Sequence, residues 1–147
     1  MTGLFLPQRI LDAMILQAEA EDPIEACGLL SGQERIVREI YELTNADDSE
    51  DHFSMLPAEQ FAVAKKVRAA GMEILAVYHT HPTSPARPSE EDIRLAFTPN
   101  MVYLILSLMV PWRPELRGFR IHDGDVVEIP IQVFDDQDFD PAQDYVI

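Results

Sequence analysis

Apolar residues recur along the chain in two different periods, and the change of period separates predicted helices from predicted strands. Between residues 7 and 21 the apolar positions have helical spacing, at Ile10, Leu11, Met14, Ile15 and Ala18. Pro7 suits the first turn of such a helix, and Pro23 closes the segment. The pattern predicts one amphipathic helix over residues 7–21.

Short apolar runs between turn residues predict strands at residues 26–30, 36–43, 53–56, 74–79, 101–108, 117–122 and 126–134. The first two strands form a hairpin whose turn we expect at Ser31 and Gly32. Residues 45–51 are polar and acidic without periodicity, which is typical of a loop. Strands and helices follow one another without regular alternation. This order predicts an α+β domain built around one curved, mixed sheet.

Two further helices are predicted between these strands. One opens at Pro57 and ends at Gly71, and its apolar positions Phe61, Ala64 and Val67 share a face. The other begins near Ser89, after a proline-rich loop. These helices are expected to flank the sheet.

Length and charge narrow the class of protein. A chain of 147 residues fits one domain, which we place at residues 1–134, and residues 135–147 have the composition of an acidic, solvated tail. The formal net charge of -15 argues against nucleic acid and anionic membranes as partners. The lone Cys27 cannot form an internal disulfide, and no targeting segment is evident. No apolar run approaches the ~18 residues that are needed to cross a bilayer. We therefore expect a cytoplasmic protein.

The segment from His79 to Asp92 carries the candidate chemistry. His79 and His81 are two residues apart on a predicted strand, so both imidazoles project from the same face and can bind one ion. Asp92 lies in the first turn of the helix that starts near Ser89 and can complete a set of three ligands, which leaves the fourth position of a tetrahedral Zn²⁺ open. A histidine pair on a strand is also typical of packing, and Ser89 with Asp92 also matches an ordinary capping box.

The same segment resembles the signature of JAMM (MPN-plus) metallopeptidases. It reads His-Thr-His-Pro, then six residues, then Ser-x-x-Asp, and every fixed position of the signature matches between His79 and Asp92. Upstream, Glu25 precedes Cys27-Gly28 as the catalytic glutamate of that family precedes a Cys-Gly pair. Asn45 and Phe53 also sit where compact prokaryotic members have related residues.

The resemblance implies a fold, a metal and roles for named residues. It implies a cytidine-deaminase-like α+β fold and one catalytic Zn²⁺ held by His79, His81 and Asp92. Glu25 would transfer a proton from the zinc-bound water to the leaving amine, and Ser89 would stabilise the oxyanion. Without the signature, Glu25 would be read as an exposed residue at the entrance to a strand. Histidine and carboxylate ligands also accept other divalent ions, so zinc rests on the resemblance.

JAMM enzymes hydrolyse peptide or isopeptide bonds after the Gly-Gly end of ubiquitin-like proteins. This short chain is similar to compact prokaryotic members, some of which trim an extension from a small sulfur-carrier protein, and that is the expected substrate. Removal of ubiquitin-like modifiers from lysines and a noncatalytic scaffold role stay open as alternatives. Oligomeric state is not predicted.

Four other residues have side chains that could bind or react. We interpret Cys27 as a packing residue and His52 and His122 as structural or surface residues, and the sequence does not decide the role of Arg87.

Overall fold

This computed structural model describes residues 3–136, which contain eight strands and three helices. The strands are β1 (Leu4–Pro7), β2 (Cys27–Gln33), β3 (Ile36–Leu43), β4 (Glu73–His81), β5 (Val102–Ser107), β6 (Glu115–His122), β7 (Asp125–Ile129) and β8 (Ile131–Phe134). The helices are α1 (Gln8–Glu21), α2 (Pro57–Ala69) and α3 (Glu90–Arg94). All strands join one sheet in the order β7-β6-β5-β4-β2-β3-β1-β8, with parallel and antiparallel pairs. The predicted α+β class with one mixed sheet is confirmed.

The sheet curves until its two outer strands meet at one residue. β7 and β8 are at opposite ends of the strand order, yet Pro130 alone separates them in sequence. The N–H of Leu4 donates to the carbonyl of Pro130 at 3.1 Å. The prediction of one strand over residues 126–134 is therefore wrong, because a proline cannot donate to a strand ladder and the chain changes partner strands there.

Helix α1 packs its apolar stripe on the sheet, as predicted. Ile10, Met14 and Ala18 are buried in the largest apolar cluster, together with side chains of β1, β2, β4 and β5. Pro7 is the N-cap residue and has an extended backbone. Strand β1, which precedes the helix, is buried along its whole length and pairs in parallel with β3 and β8. The sequence analysis did not predict this strand.

The hairpin of β2 and β3 turns later than predicted. Ser31 and Gly32 form a bulge inside β2, and the turn lies at Glu34 and Arg35, both with left-handed backbones of φ 51° and 69°. Gly32 is needed at the bulge because a Cβ there would lie 1.9 Å from the carbonyl oxygen of Ile36. Gly32 is therefore required by the close approach of two strands and not by a turn. The prediction of a turn at Ser31 and Gly32 is wrong.

Two predictions between β3 and β4 are corrected. Residues 53–56 do not form a strand, since their pairing is a single bridge between Asn45 and Met55. In α2, Phe61 is 68% exposed, and the buried positions are Val63 and Val67. Positions four apart share a helical face, so a narrow stripe was enough to cover the sheet and Phe61 points away from it.

The third helix begins where the sequence predicted, with Ser89 as its N-cap residue. No helix within residues 3–136 is long and apolar enough to cross a membrane. The proposed boundary between a domain at 1–134 and an acidic tail at 135–147 stays a prediction, because residues 137–147 lie outside the described part.

Candidate metal centre

Two histidines at the end of β4 form the base of the candidate site. Successive side chains of a strand point to opposite faces, so His79 and His81 share a face while Thr80 points to the other. Both histidines are buried, with 4% of the surface of His79 and 5% of the surface of His81 exposed. Their Nε2 atoms lie 3.1 Å apart. Strand alternation therefore brings two ring nitrogens to one point, as the sequence predicted.

Asp92 brings a carboxylate to the same point from α3. Its Oδ2 lies 3.2 Å from Nε2 of His79 and 3.2 Å from Nε2 of His81. The same oxygen accepts the backbone N–H of Ser89 at 2.9 Å, while Ser89 Oγ accepts the N–H of Asp92 at 3.0 Å. The capping box and the ligand set were treated as alternatives in the sequence, and the structure shows that the capping box is compatible with convergence of Asp92 on the two histidines. The cap orients Asp92 toward the histidines.

The three ligand atoms are spaced as a tetrahedral metal ion requires. Bonds of about 2.0–2.2 Å to Zn²⁺ place neighbouring ligand atoms roughly 3.3–3.6 Å apart, close to the 3.1–3.2 Å measured here. Among residues 3–136, His79, His81 and Asp92 form the group of histidine, cysteine or acidic side chains that could hold a metal ion. Nδ1 of His81 lies 2.8 Å from the carbonyl oxygen of Pro85. A proton on Nδ1 leaves Nε2 free as a ligand.

The charges of the three residues also suit metal binding. Burial lowers the pKa of His79, which favours the neutral imidazole that a metal needs. Burial alone would raise the pKa of Asp92, but hydrogen bonds with both histidines hold it well below its usual range. Burial also opposes the charge on His81, and its hydrogen bonds with Asp92 and the Pro85 carbonyl outweigh that effect and raise its pKa. A divalent cation would replace the proton that His81 shares with Asp92.

Glu25 lies just before β2, beside the metal centre. The register of β2 and β4 pairs Cys27 with His79, and the same antiparallel register places Glu25 opposite His81. Glu25 is 3% exposed, and its Oε1 has no hydrogen-bond partner among the described residues. Burial raises the pKa of this carboxyl to about 8, with the positive charge of His81 acting against the shift and the negative charge of Asp92 adding to it. A buried carboxylate with a free oxygen and a pKa near neutrality suits proton transfer.

Ser89 lies on the exposed rim of the site. Its Oγ accepts the N–H of Asp92, which leaves its O–H able to donate to a substrate oxygen. The structure thus brings His79, His81, Asp92, Glu25 and Ser89 to one region.

One side of the metal centre opens into an apolar cleft that the sequence analysis did not identify. The cleft measures about 340 Å³ and includes His79 and Asp92 among its walls. Phe53 stacks on the ring of His79, with 4.6 Å between ring centroids and 23° between planes. The exposed side chains of Leu95 and Phe97 also line it. No spacing in the sequence linked Phe53 to a strand 26 residues away, so only the fold could reveal this contact.

Three of the remaining candidate residues are not part of the converging group of His79, His81 and Asp92. Cys27 is buried in an apolar cluster, and burial raises its thiol pKa to about 12, which agrees with a packing role. His52 lies 3.0 Å from Asp47 in the acidic loop, and His122 lies 3.3 Å from Asp123 on the surface. The structure adds no contact that decides the role of Arg87.

Comparison with known proteins places these features in a family. The sequence profile described as "Prokaryotic homologs of the JAB domain" matches residues 7–121. A CysO-cysteine peptidase of Mycobacterium tuberculosis is 37% identical over 127 residues, covering 84% of this chain and 86% of that protein. A desampylase of Pyrococcus furiosus is 28% identical over 104 residues, covering 71% of this chain and 74% of that protein.

Solved structures agree with the profile. A protein of Desulfitobacterium hafniense, solved in solution, has a TM-score of 0.84 and 41% identity, covering 90% of this chain and 94% of that one. A structure described as a metalloprotease-like JAMM zinc site in the proteasome and signalosome has a TM-score of 0.56 and covers 88% of this chain and 98% of that one. At 21% identity the second likeness shows the fold alone, and it confirms the expected JAMM fold. The chain therefore belongs to the prokaryotic homologs of the JAB domain, in agreement with the JAMM resemblance of its sequence.

Proposed function

We propose that this chain is a zinc-dependent peptidase that hydrolyses the bond after the Gly-Gly end of a ubiquitin-like or sulfur-carrier protein. One observation carries the proposal. Three candidate ligand atoms converge within 3.2 Å of one another, near the buried carboxyl of Glu25, whose Oε1 has no hydrogen-bond partner among the described residues. This set has the parts of a catalytic zinc site, namely three protein ligands, an open position and a base.

Each residue has a role in the proposed reaction. His79, His81 and Asp92 would hold the zinc, which would supply Lewis acidity at the scissile carbonyl and lower the pKa of water. The carboxylate of Glu25 accepts a proton from the attacking water and delivers it to the amine as the C–N bond breaks. The O–H of Ser89 donates to the oxygen of the scissile carbonyl while negative charge develops there.

The substrate class is supported by the relatives and by the shape of the site. The two relatives described above are named for cleaving CysO from cysteine and for desampylation. The metal centre opens into an apolar cleft between Phe53 and the Leu95–Phe97 rim. A Gly-Gly end suits this entry, because residues without side chains bring the scissile bond close to the ligands while larger residues upstream occupy the cleft.

Intact-mass analysis of two matched substrates tests the proposal. One is a small ubiquitin-like sulfur carrier extended by a peptide beyond its Gly-Gly, and the other is the same carrier joined to a lysine side chain. We expect cleavage after Gly-Gly by zinc-loaded protein, and loss of cleavage with a chelator or in Glu25→Gln. Cleavage of the lysine-linked carrier alone would establish an isopeptidase, the reading that the desampylase relative favours. Cleavage of neither by zinc-loaded protein would leave the scaffold role.

The cytoplasmic location expected from the sequence is part of the same proposal. A carrier that receives sulfur as a thiocarboxylate is used where thiols stay reduced, which matches a chain with one cysteine. Fractionation of cells that express the protein from its own promoter would test the location.

A further inference from the structure

The carboxyl of Glu25 depends on its backbone for its position. Its Oε1 is buried and accepts no hydrogen bond from the described residues. A long side chain without such a bond is oriented by the main chain from which it extends and by packing. The contacts of residues 25 and 26 therefore decide where the proposed base lies.

Thr80 holds the residue after Glu25 through two hydrogen bonds. The N–H of Ala26 donates to Thr80 Oγ1 at 2.8 Å, and the N–H of Thr80 donates to the carbonyl of Ala26 at 3.0 Å. Thr80 is 1% exposed and lies between the two histidine ligands. The side chain that faces away from the metal on β4 thus ties the proposed base to the strand that carries two ligands.

Asn45 holds Glu25 itself and the loop that covers it. Its Nδ2 donates to the carbonyl of Glu25 and to that of His52, each at 3.0 Å. Its Oδ1 accepts the backbone N–H groups of Asp47 and Ser54, at 3.0 and 3.3 Å. The residue is 6% exposed, and its bond to the Glu25 carbonyl is buried while the other three are partly buried.

The loop fixed by Asn45 contacts the site at two points. The carbonyl of Ser49 accepts the N–H of Glu25 at 2.8 Å. Phe53, from the same loop, stacks on the ligand His79. One buried amide therefore links the backbone of the proposed base, the loop over it and the ring of a ligand.

We propose that Thr80 and Asn45 are positioning residues that together hold the Glu25 carboxylate in line with the metal centre. The inference rests on the proposed function, since it assigns these residues to the same reaction. Both side chains act through the peptide group that joins Glu25 to Ala26, since Asn45 donates to its carbonyl and Thr80 accepts its N–H. Misplacement of a catalytic group by about 1 Å lowers a rate by about a hundredfold.

Amide hydrogen exchange on zinc-loaded protein tests the contacts without any substrate. Thr80→Val keeps the shape of Thr80 and removes the acceptor, so the N–H of Ala26 should exchange at least about tenfold faster. Thr80→Ser keeps the hydroxyl and should exchange as the unmodified protein does. Asn45→Asp keeps the acceptors and removes both Nδ2 donors, so the N–H of Glu25 should exchange faster as the loop at Ser49 loosens. Unchanged exchange in Thr80→Val and Asn45→Asp would overturn the inference.

Steady-state kinetics on the extended sulfur carrier test the role. Thr80→Val should lower kcat by about ten- to a hundredfold with KM unchanged and one zinc retained, because the lost effect is on the base alone, and Asn45→Asp should lower kcat by at least as much. Thr80→Ser should restore kcat to within about threefold. Ser31→Ala, which removes another fully buried hydroxyl from the neighbouring strand, should leave kcat unchanged.

A double-mutant cycle with Glu25→Gln separates positioning from general stability. If Thr80 acts through Glu25, adding Thr80→Val to Glu25→Gln should lower kcat by less than about twofold further. An equal loss in both backgrounds, or zinc loss in Thr80→Val, would overturn the inference while leaving the proposed function intact. If the unmodified protein cleaves neither carrier, the proposed function fails and the catalytic role of the two residues fails with it, whatever the exchange rates show.

Discussion

The buried polar groups on the two faces of strand β4 differ in how completely their hydrogen bonds are satisfied. On one face, the O–H of Tyr78 donates to Gln17, whose amide in turn donates to the carbonyl of Cys27 at 3.0 Å. On the other face, His79 and His81 converge on Asp92, and Glu25 keeps a buried oxygen without a partner in the described part. Completed hydrogen bonds characterise the structural face. The face that we assign to chemistry instead has side chains that converge on one point and a buried oxygen that lacks a hydrogen-bond partner.

The difference shows which buried polar groups serve the fold. Burial raises the pKa of Tyr78 far above its usual range, so its hydroxyl stays neutral and acts as a fixed donor to α1. Gly28, its cross-strand neighbour, has no room for a Cβ, which would lie 2.3 Å from the Tyr78 ring. Close packing and neutral donors make that face rigid. The ligand face carries groups that change charge when an ion binds.

Loss of the proposed ligand that α3 brings to β4 should have the largest effect of the changes considered. Asp92→Asn removes the carboxylate charge and keeps the shape, and we expect loss of the bound zinc together with a fall in kcat/KM of more than about a hundredfold. Metal content by mass spectrometry and cleavage of the extended carrier measure both. Full activity with no zinc would remove the metal from the mechanism and end the contrast between the two faces.

The next effect concerns the pH dependence of stability in the zinc-free protein. The pKa of the Glu25 carboxyl is about 8 when folded against 4.5 as the reference value, so the folded protein holds a proton that unfolding releases. Its contribution to the free energy of unfolding should therefore be full below pH 4.5 and should fall as pH rises toward 8.

Urea unfolding of Glu25→Gln and the unmodified protein, both with chelator, measures this contribution. The difference between the two curves reports Glu25 together with its interaction with His81. We expect the variant to gain relative stability across that pH range. Parallel curves would show that the Glu25 carboxyl ionises freely and is not desolvated.

On the structural face, Tyr78→Phe should lower stability and leave the chemistry unchanged. The change leaves the buried Oε1 of Gln17 without its donor, which costs about 1–3 kcal/mol. Chemical denaturation should show this loss, while zinc content and kcat stay as in the unmodified protein. A hundredfold loss of kcat would mean that the two faces are coupled and that the comparison fails.

The smallest effect is expected at Ser31 in β2. Its Oγ is buried and has no partner among residues 3–136, so the hydroxyl already costs desolvation without a compensating bond. Ser31→Ala should change the free energy of unfolding by less than about 0.5 kcal/mol or raise it slightly. A loss above about 1 kcal/mol would show that the hydroxyl has a partner, such as an ordered water.

The elements that the sequence predicted well are those whose signal is local. Helix α1 follows from the helical spacing around Ile10 and Met14, and the start of α3 follows from the Ser89–Asp92 cap. The predictions that failed depended on distant partners. Gly32 marked a bulge against β3, and Phe61 faces away from the sheet although its spacing matched a buried stripe.

The sequence by itself determined that His79, His81 and Asp92 come together, because strand alternation and a helix cap act over a few residues and a fixed spacing joins them. Only the tertiary structure decided the state of Glu25 and its supports. Its burial and raised pKa, its bond with Asn45 and the bond of its neighbour Ala26 with Thr80 come from segments 20 and more residues away. Such contacts arise from packing of the whole sheet, and no local period in the chain encodes them.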